Sequence, residues 1–228
     1  MKLKQPFMKK KQQSLNRKDQ IMKQKRPFIE HERAERFRKR PLKKTGGGII
    51  RREETQMAKN LVIYYSRKGE NYVNGQLKQL EKGNTKIVSE YIREAVDADL
   101  FEIETVRDYS ESYMTCIEEA REELKQDARP ELKAYLPSVE QYDHIVVAGP
   151  CWWGTYPCAV LTQLEKLDFT GKKVFPVMTH EGSGMGSSAQ ALKKYCKGAV
   201  VGSGLAVHGA DAGSSRETVL RWAKENLA

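Results

Sequence analysis

From residue 57 onward, short runs of β-branched and apolar residues alternate with stretches of helical periodicity, five times over. The predicted strands are 61–65, 100–104, 144–148, 173–178 and 199–201 continuing to 205–207. The predicted helices are 85–96, 112–126, 159–167, 187–195 and 215–226. Three of the strand runs are apolar almost throughout, as strands buried on both faces are. The alternation predicts an α/β domain with one parallel sheet and helices on both of its faces.

The basic residues are concentrated before this pattern begins. Residues 1–56 hold 19 basic and 6 acidic side chains, whereas residues 57–228 hold 21 basic and 24 acidic. Apolar residues are sparse in the first segment, so folding could not bury enough surface there to offset the lost chain entropy. We therefore expect residues 1–56 to be a disordered basic extension. The folded domain has no net positive charge, and we expect it to bind no DNA.

Two interpretations of the extension stay open. Met57 lies four residues before the first predicted strand, and Arg51-Arg52-Glu53-Glu54 can be encoded by a purine run like a bacterial ribosome-binding site. On this interpretation the native protein starts at Met57. The alternative is a basic arm that binds RNA, an acidic lipid surface or an acidic redox partner. In both cases we expect residues 57–228 to fold and bind their ligand alone.

The four cysteines are scattered and form no CxxC pair, which disfavours a structural zinc site. Residues 1–20 lack the apolar core of a signal peptide, and no run approaches the ~18 apolar residues that span a bilayer. We therefore expect a cytoplasmic protein without a membrane span or a bound metal. Cys151 and Cys158 are expected to be free thiols.

In an open parallel sheet, ligands bind beyond the carboxyl ends of the strands. The loop after the first strand begins at Ser66, continues through an inserted stretch (residues 69–82) and ends at Gly83-Asn84-Thr85, where a helix starts. Such residues suit a phosphate at the helix N-terminus. The alternative is an ordinary N-cap by Asn84 or Thr85. The loop has neither the P-loop nor the GxGxxG pattern, which argues against an NTPase and a dinucleotide-binding protein.

The loop after the third strand contains two adjacent tryptophans, Trp152 and Trp153. Indoles in a loop at the ligand edge predict stacking on a flat aromatic ligand. The alternative is that one indole packs into the core and the other lies on the surface. The loop after the fourth strand, 179–188, is rich in glycines and hydroxyls, and its amides suit a polar ring edge or an oxyanion. No Ser/His/Asp or Cys/His arrangement can be built on His180, so no catalytic residue is predicted.

Together, the three loops resemble those of the flavodoxin family, specifically flavodoxin-like proteins with a Trp-Trp-Gly loop. Ser66 and Gly83-Asn84-Thr85 match the family's hydroxyl-x-hydroxyl-Gly-Asn-Thr phosphate loop, with Lys68 in place of the middle hydroxyl. The Pro-x-Trp-Trp-Gly-Thr sequence from Pro150 to Thr155 is the most specific match. The resemblance covers essentially all of residues 57–228. It implies FMN as cofactor and a flavodoxin-like three-layer sandwich with a five-stranded parallel sheet of order 2-1-3-4-5.

The resemblance also implies which residues bind FMN. It places Trp153 against the isoalloxazine ring, the Gly154 peptide beside flavin N5 and the loop from Thr179 to Gly184 at the pyrimidine end of the ring. The full implied set is Ser66, Lys68, Gly83, Asn84, Thr85, Pro150, Trp152, Trp153, Gly154, Thr155, Thr179, His180, Glu181, Gly182, Ser183 and Gly184.

The function implied is that of an electron carrier between redox partner proteins. The alternative is an NAD(P)H-dependent FMN reductase of quinones or flavins, which needs a nicotinamide pocket over the flavin. Because nothing in the sequence identifies such a pocket, the carrier is favoured.

The inserted stretch contains Asn74-Gly75 between two short β-type runs, which is the strongest local signal for a β-hairpin. The hairpin either stands at the rim of the phosphate site with a role there, or is a surface excursion without one.

Overall fold

The computed structural model of the chain describes residues 59–228, so the predictions for residues 1–56 lie outside the described residues. The secondary-structure elements follow the predicted alternation closely. In chain order they are β1 (Asn60–Tyr65), β2 (Gly69–Val73), β3 (Gln76–Leu80), α1 (Asn84–Val96), β4 (Asp99–Ile103), α2 (Tyr113–Lys125), β5 (His144–Pro150), α3 (Cys158–Leu164), β6 (Lys173–His180), α4 (Ser188–Tyr195), β7 (Val200–Val201), β8 (Leu205–His208), a 3-10 turn (Gly209–Asp211) and α5 (Arg216–Leu227).

The main sheet is parallel throughout and has the order β4-β1-β5-β6, with β7 and β8 both paired to the outer side of β6. Since β7 and β8 follow one another along the same edge, they form one interrupted strand. Counted this way, the sheet has five strands in the order 2-1-3-4-5. The predicted topology is confirmed, and it puts the switch point between β1 and β5.

The interruption between β7 and β8 has a physical cause in β6. The N–H of Gly202 donates to Val174 O at 2.9 Å, so the backbone N–H and C=O of Val174 point toward the edge strand. Backbone groups of alternate residues point to the same side of a strand, so those of Pro176 point toward the edge strand too. Pro176 has no N–H to give to the ladder. Gly204 passes so close that a Cβ there would lie 2.8 Å from Pro176 O. The edge strand therefore breaks beside the proline.

Two apolar cores lie on opposite faces of the sheet and make the three-layer sandwich. Residues of β1 alternate between them: Leu61, Ile63 and Tyr65 belong to one core, and Val62 and Tyr64 to the other. The first core is closed by α3 and α4, and the second by α1 and α5. Burial on both faces explains why β1 is an unbroken apolar run.

The inserted stretch is the predicted hairpin. Strands β2 and β3 pair antiparallel in a separate two-stranded sheet. Asn74 and Gly75 have φ of 51° and 83°, which are the two left-handed positions of a type I′ turn. All four cysteines, the pair Cys151 and Cys158 included, are free thiols. Among residues 59–228, no helix has both the length and the apolar character needed to span a membrane.

Candidate functional site

The two halves of the predicted phosphate loop meet although the fourteen residues 69–82 separate them in sequence. Ser66 Oγ accepts a hydrogen bond from the backbone N–H of Lys86 at 3.0 Å, within the first turn of α1. A Cβ on Gly83 would lie 2.3 Å from both Arg67 O and Ser66 Oγ, so only glycine fits between the halves. The hairpin thus leaves and re-enters the loop at one point, and the split motif forms a single loop.

The N-terminus of α1 is not capped by Asn84 or Thr85. The N-cap position is Gly83, which has no side chain to donate, and the Ser66 hydroxyl serves one amide from across the loop. Thr85 is buried instead, and its hydroxyl shares a 2.8 Å hydrogen bond with the hydroxyl of Thr179 at the end of β6. The hydroxyls of these two predicted FMN ligands therefore bind each other in the protein interior.

Residues 152–155 form a tight turn after β5. The N–H of Trp152 donates to Thr155 O at 2.9 Å, and the N–H of Thr155 donates to Trp152 O at 3.1 Å. Trp153 and Gly154 at the corner have φ of 51° and 81°. A bulky residue in the left-handed region is held there at a cost, and such strain clusters at binding sites.

The two tryptophans of this turn point in different directions. The Trp152 indole packs edge-on against Tyr65 and Tyr109, with ring centroids 5.4 and 5.1 Å apart. The Trp153 indole is 48% exposed, donates from Nε1 to Ile117 O of α2 at 2.8 Å, and lies 5.5 Å beneath the Arg121 guanidinium. One indole therefore packs against the core, and the other is exposed on the surface.

The loop after β6 is joined to the tryptophan turn. The carbonyl oxygen of Gly154 accepts hydrogen bonds from the Ser187 N–H and hydroxyl. Gly186 packs directly on this carbonyl, where a Cβ would lie 2.3 Å from the oxygen, and its φ of 50° also favours glycine. The glycines of the loop therefore allow the two backbones to approach.

His180 ends β6 and Glu181 directly follows it, beside residues of β8 and the following turn. The N–H of Gly182 donates to His180 Nδ1 at 3.0 Å, and burial, helped by neighbouring His208, lowers the pKa of His180. Glu181 Oε2 lies 3.6 Å from His208 Nε2. Glu181 Oε1 is buried and has no hydrogen-bond partner within residues 59–228.

Asn84 and Glu181 both converge on Gly209. A Cβ on this glycine would lie 2.7 Å from Asn84 Nδ2 and 2.2 Å from Glu181 Oε1. Gly209 therefore leaves room for the two polar side chains at the start of α1. The exposed Lys68 lines a cleft of about 770 Å³ together with Ser66 and Gly83.

The structure brings the three predicted loops to one edge of the sheet, and it places three residues beside them that the sequence did not single out: Ser187, His208 and Gly209. His208 ends the fifth strand and Gly209 follows it. The carboxyl end of this strand lies at the same sheet edge as the others, so the rule on strand ends could have found both residues. Ser187 stands just before α4, where a serine is expected as an ordinary N-cap. It was therefore indistinguishable from a cap by pattern.

Residues 79–226 match the family model of the flavodoxins. The matched range starts inside β3, so β1, Ser66 and most of the hairpin precede it. No curated protein matches the chain in sequence.

Among solved structures, a protein classed as a flavoprotein from Bacteroides uniformis is 28% identical, with a TM-score of 0.58 over 74% of this chain and 99% of that chain. A similar protein from Bacteroides eggerthii is 24% identical, with a TM-score of 0.59 over 74% and 97%. A flavoprotein from Lactobacillus acidophilus in complex with FMN is 20% identical, with a TM-score of 0.52 over 71% and 97%. The last two agree with this chain in fold. Since the family model matches well over half of the chain, and the sheet order is the one expected, the chain belongs to the flavodoxin family.

Proposed function

We propose that this chain binds one FMN and carries single electrons between redox partner proteins. The observation that carries the proposal is the convergence of three loops at the carboxyl ends of β1, β5 and β6, next to the switch point of the sheet. Membership of the flavodoxin family supports FMN as the cofactor. The role as an electron carrier and the existence of redox partner proteins are what we propose beyond family membership.

The donors around α1 suit the phosphate of FMN. A helix N-terminus offers backbone N–H groups without intrahelical partners, and its dipole favours an anion. Ser66, Gly83 and Asn84 meet at this end of a 13-residue helix. Thr85 contributes its backbone, since its hydroxyl is engaged by Thr179. Lys68, from the exposed side of the same loop, supplies positive charge nearby.

The remaining residues suit the ring and the polar chain of FMN. Trp153 provides an exposed indole for stacking. Pro150 ends β5 just before the turn, and Thr155 closes the turn. The loop from Thr179 to Gly184 offers amides at the opposite side. Glu181 Oε1 is a buried acceptor that has no donor among residues 59–228, and a ribityl hydroxyl or a ring N–H would supply one.

FMN supplies the redox chemistry when it is bound; the protein positions it and excludes water. Residues 57–228 carry more acidic than basic side chains, and Glu181 and Asp211 both lie near His208 at the site. Nearby negative charge disfavours adding further negative charge. The negative charge therefore disfavours adding a second electron after the first, which suits the transfer of single electrons.

A steady-state assay with NADPH and a benzoquinone tests the carrier against the reductase. A carrier turns over barely at all without a partner protein that reduces it. Sustained NADPH oxidation by the purified protein would replace the proposed function with that of a reductase. We further propose that residues 57–228 are the complete FMN-binding domain, and that the protein acts in the cytoplasm, where its four thiols stay reduced.

A further inference from the structure

The hairpin, residues 69–80, is tied firmly at its base. The Arg67 guanidinium donates to Glu70 O at 3.2 and 3.3 Å and to Glu111 O at 2.8 Å. Glu70 Oε1 in turn accepts from the backbone N–H of Tyr113, the first residue of α2, at 2.7 Å. The base is therefore anchored to the start of α2 by several hydrogen bonds.

The last two residues of β2 differ in exposure, because successive side chains of a strand point to opposite sides. Tyr72, 41% exposed, stacks on Tyr113 with ring centroids 6.0 Å apart and an interplanar angle of 20°. The next residue, Val73, is only 6% exposed, although it belongs to neither apolar core of the domain. Its burial shows that this end of the hairpin packs against the domain rather than projecting into solvent.

The tip of the hairpin reaches the far side of the site. The backbone N–H of Asn74 donates to Glu181 Oε2 at 2.8 Å, and Glu181 directly follows β6. In the sheet, β5 lies between β1 and β6, which puts the ends of β1 and β6 roughly 10 Å apart. A five-residue strand spans about 16 Å. The hairpin therefore leaves the end of β1, passes the end of β5 and fastens beyond it.

We propose that this hairpin is a strap that closes the FMN site and must release its tip for FMN to enter or leave. The inference rests on the proposed function, because it takes the site beneath the strap to hold FMN. The strap pivots at the base, where Arg67 and Glu70 hold it. It opens at the tip, where an exposed hydrogen bond to Glu181 and the buried side chain of Val73 hold it. Segments held by few buried contacts open locally at low cost. This assigns a role to the insertion.

The test measures the association and dissociation rates of FMN by the change in flavin fluorescence. Tyr72→Ala removes the stacking that supports the closed strap, and a second variant replaces residues 71–78 by two glycines. Tyr72→Phe keeps the ring, and Tyr135→Ala removes a tyrosine of matched exposure, 42%, outside the strap. Both strap variants should exchange FMN about threefold to tenfold faster in each direction. The two controls should keep the wild-type rates.

A gate slows both the association and the dissociation of FMN, so disrupting it should raise both rates together. The affinity for FMN should therefore change less than either rate. Faster dissociation alone, with affinity lost in proportion, would make the strap a wall of the site and overturn the gate. Unchanged rates in both strap variants would overturn it as well.

Hydrogen exchange at the Asn74 amide gives a second readout that works without FMN. The wild type should protect this amide, FMN should increase the protection, and Tyr72→Ala should reduce it. An unprotected Asn74 amide would contradict the closed strap even if the shortened variant fails to fold. Failure of the wild type to bind FMN would contradict the proposed function itself, whereas normal FMN binding with unaltered rates contradicts the strap alone.

Discussion

The carbonyl oxygen of Gly154 accepts two hydrogen bonds from Ser187, from its backbone N–H at 2.8 Å and from its hydroxyl at 2.9 Å. The contact fastens the tryptophan turn to the loop after β6, and these two loops flank the proposed ring site. It also means that the carbonyl that the family resemblance places beside flavin N5 is already engaged by the protein. Accepting a hydrogen bond from reduced flavin would require this carbonyl to turn away from Ser187.

Ser187→Ala removes the hydroxyl donor and leaves the backbone donor in place. The free energy of unfolding should fall by about 1 kcal/mol, the usual net value of one hydrogen bond. The first reduction potential of bound FMN should become less negative, because the Gly154 carbonyl, held by one hydrogen bond instead of two, can turn more easily toward the N–H that reduction creates. Urea unfolding and a redox titration measure the two effects. Ser203→Ala, at an exposed serine between β7 and β8, should change neither; an unaltered potential in Ser187→Ala would contradict the competition.

The two tryptophans should respond differently to removal. Trp153→Ala should weaken FMN binding by about 1–3 kcal/mol, since it removes the exposed stacking surface. Trp152→Ala should lower the free energy of unfolding by about 3 kcal/mol, because its indole packs between Tyr65 and Tyr109. Fluorescence titration with FMN and urea unfolding separate these effects. If both variants bound FMN with wild-type affinity, Trp153 would not be part of the ring site.

Most of the fold could be predicted from the periodicity of apolar residues in the sequence. Every predicted strand and helix is present within a few residues of its predicted ends, because runs such as Leu61–Tyr65 are buried on both faces. The Asn74-Gly75 turn was equally predictable, since both positions need a left-handed backbone, which Asn and Gly adopt most easily. These features depend on local chemistry, which a single sequence contains.

The sequence pattern also predicted which loops form the candidate site, but it could not predict the contacts among their side chains. Thr85 and Thr179 are 94 positions apart, and no pattern indicates that their hydroxyls bind each other. The hydrogen bond between Asn74 and Glu181 spans 107 positions and depends on the direction in which the hairpin leaves β1. Strand ends predict which loops meet; the contacts among their side chains follow from packing.

Stability should fall as the pH rises above about 9. Burial raises the pKa of the Cys116 and Cys158 thiols from 9.0 to about 11 and that of Cys196 to about 12. The unfolded chain therefore releases these protons at a lower pH than the folded protein does, which favours unfolding between about pH 9 and the folded-state values. Buried Tyr65, whose pKa is also raised by burial, acts in the same direction.

Urea unfolding across this pH range measures the slope, and Cys158→Ala should make it shallower. A free energy of unfolding that stays constant from about pH 8 to pH 11 would contradict the burial of these groups.

A chain that begins at Met57 should fold and bind FMN with the affinity of the full chain. The sheet, both cores and all three loops lie within residues 59–228. Circular dichroism and FMN titration of the shortened chain beside the full chain provide the comparison. Weaker FMN binding by the shortened chain would show that residues 1–56 contribute to the site.

The most direct test of the account is the visible spectrum of the purified protein, with the released cofactor identified and counted against the chain. The account predicts a yellow protein with one FMN per chain, or an apoprotein that takes up one equivalent of added FMN. A colourless protein that leaves the spectrum and fluorescence of added FMN unchanged would contradict it.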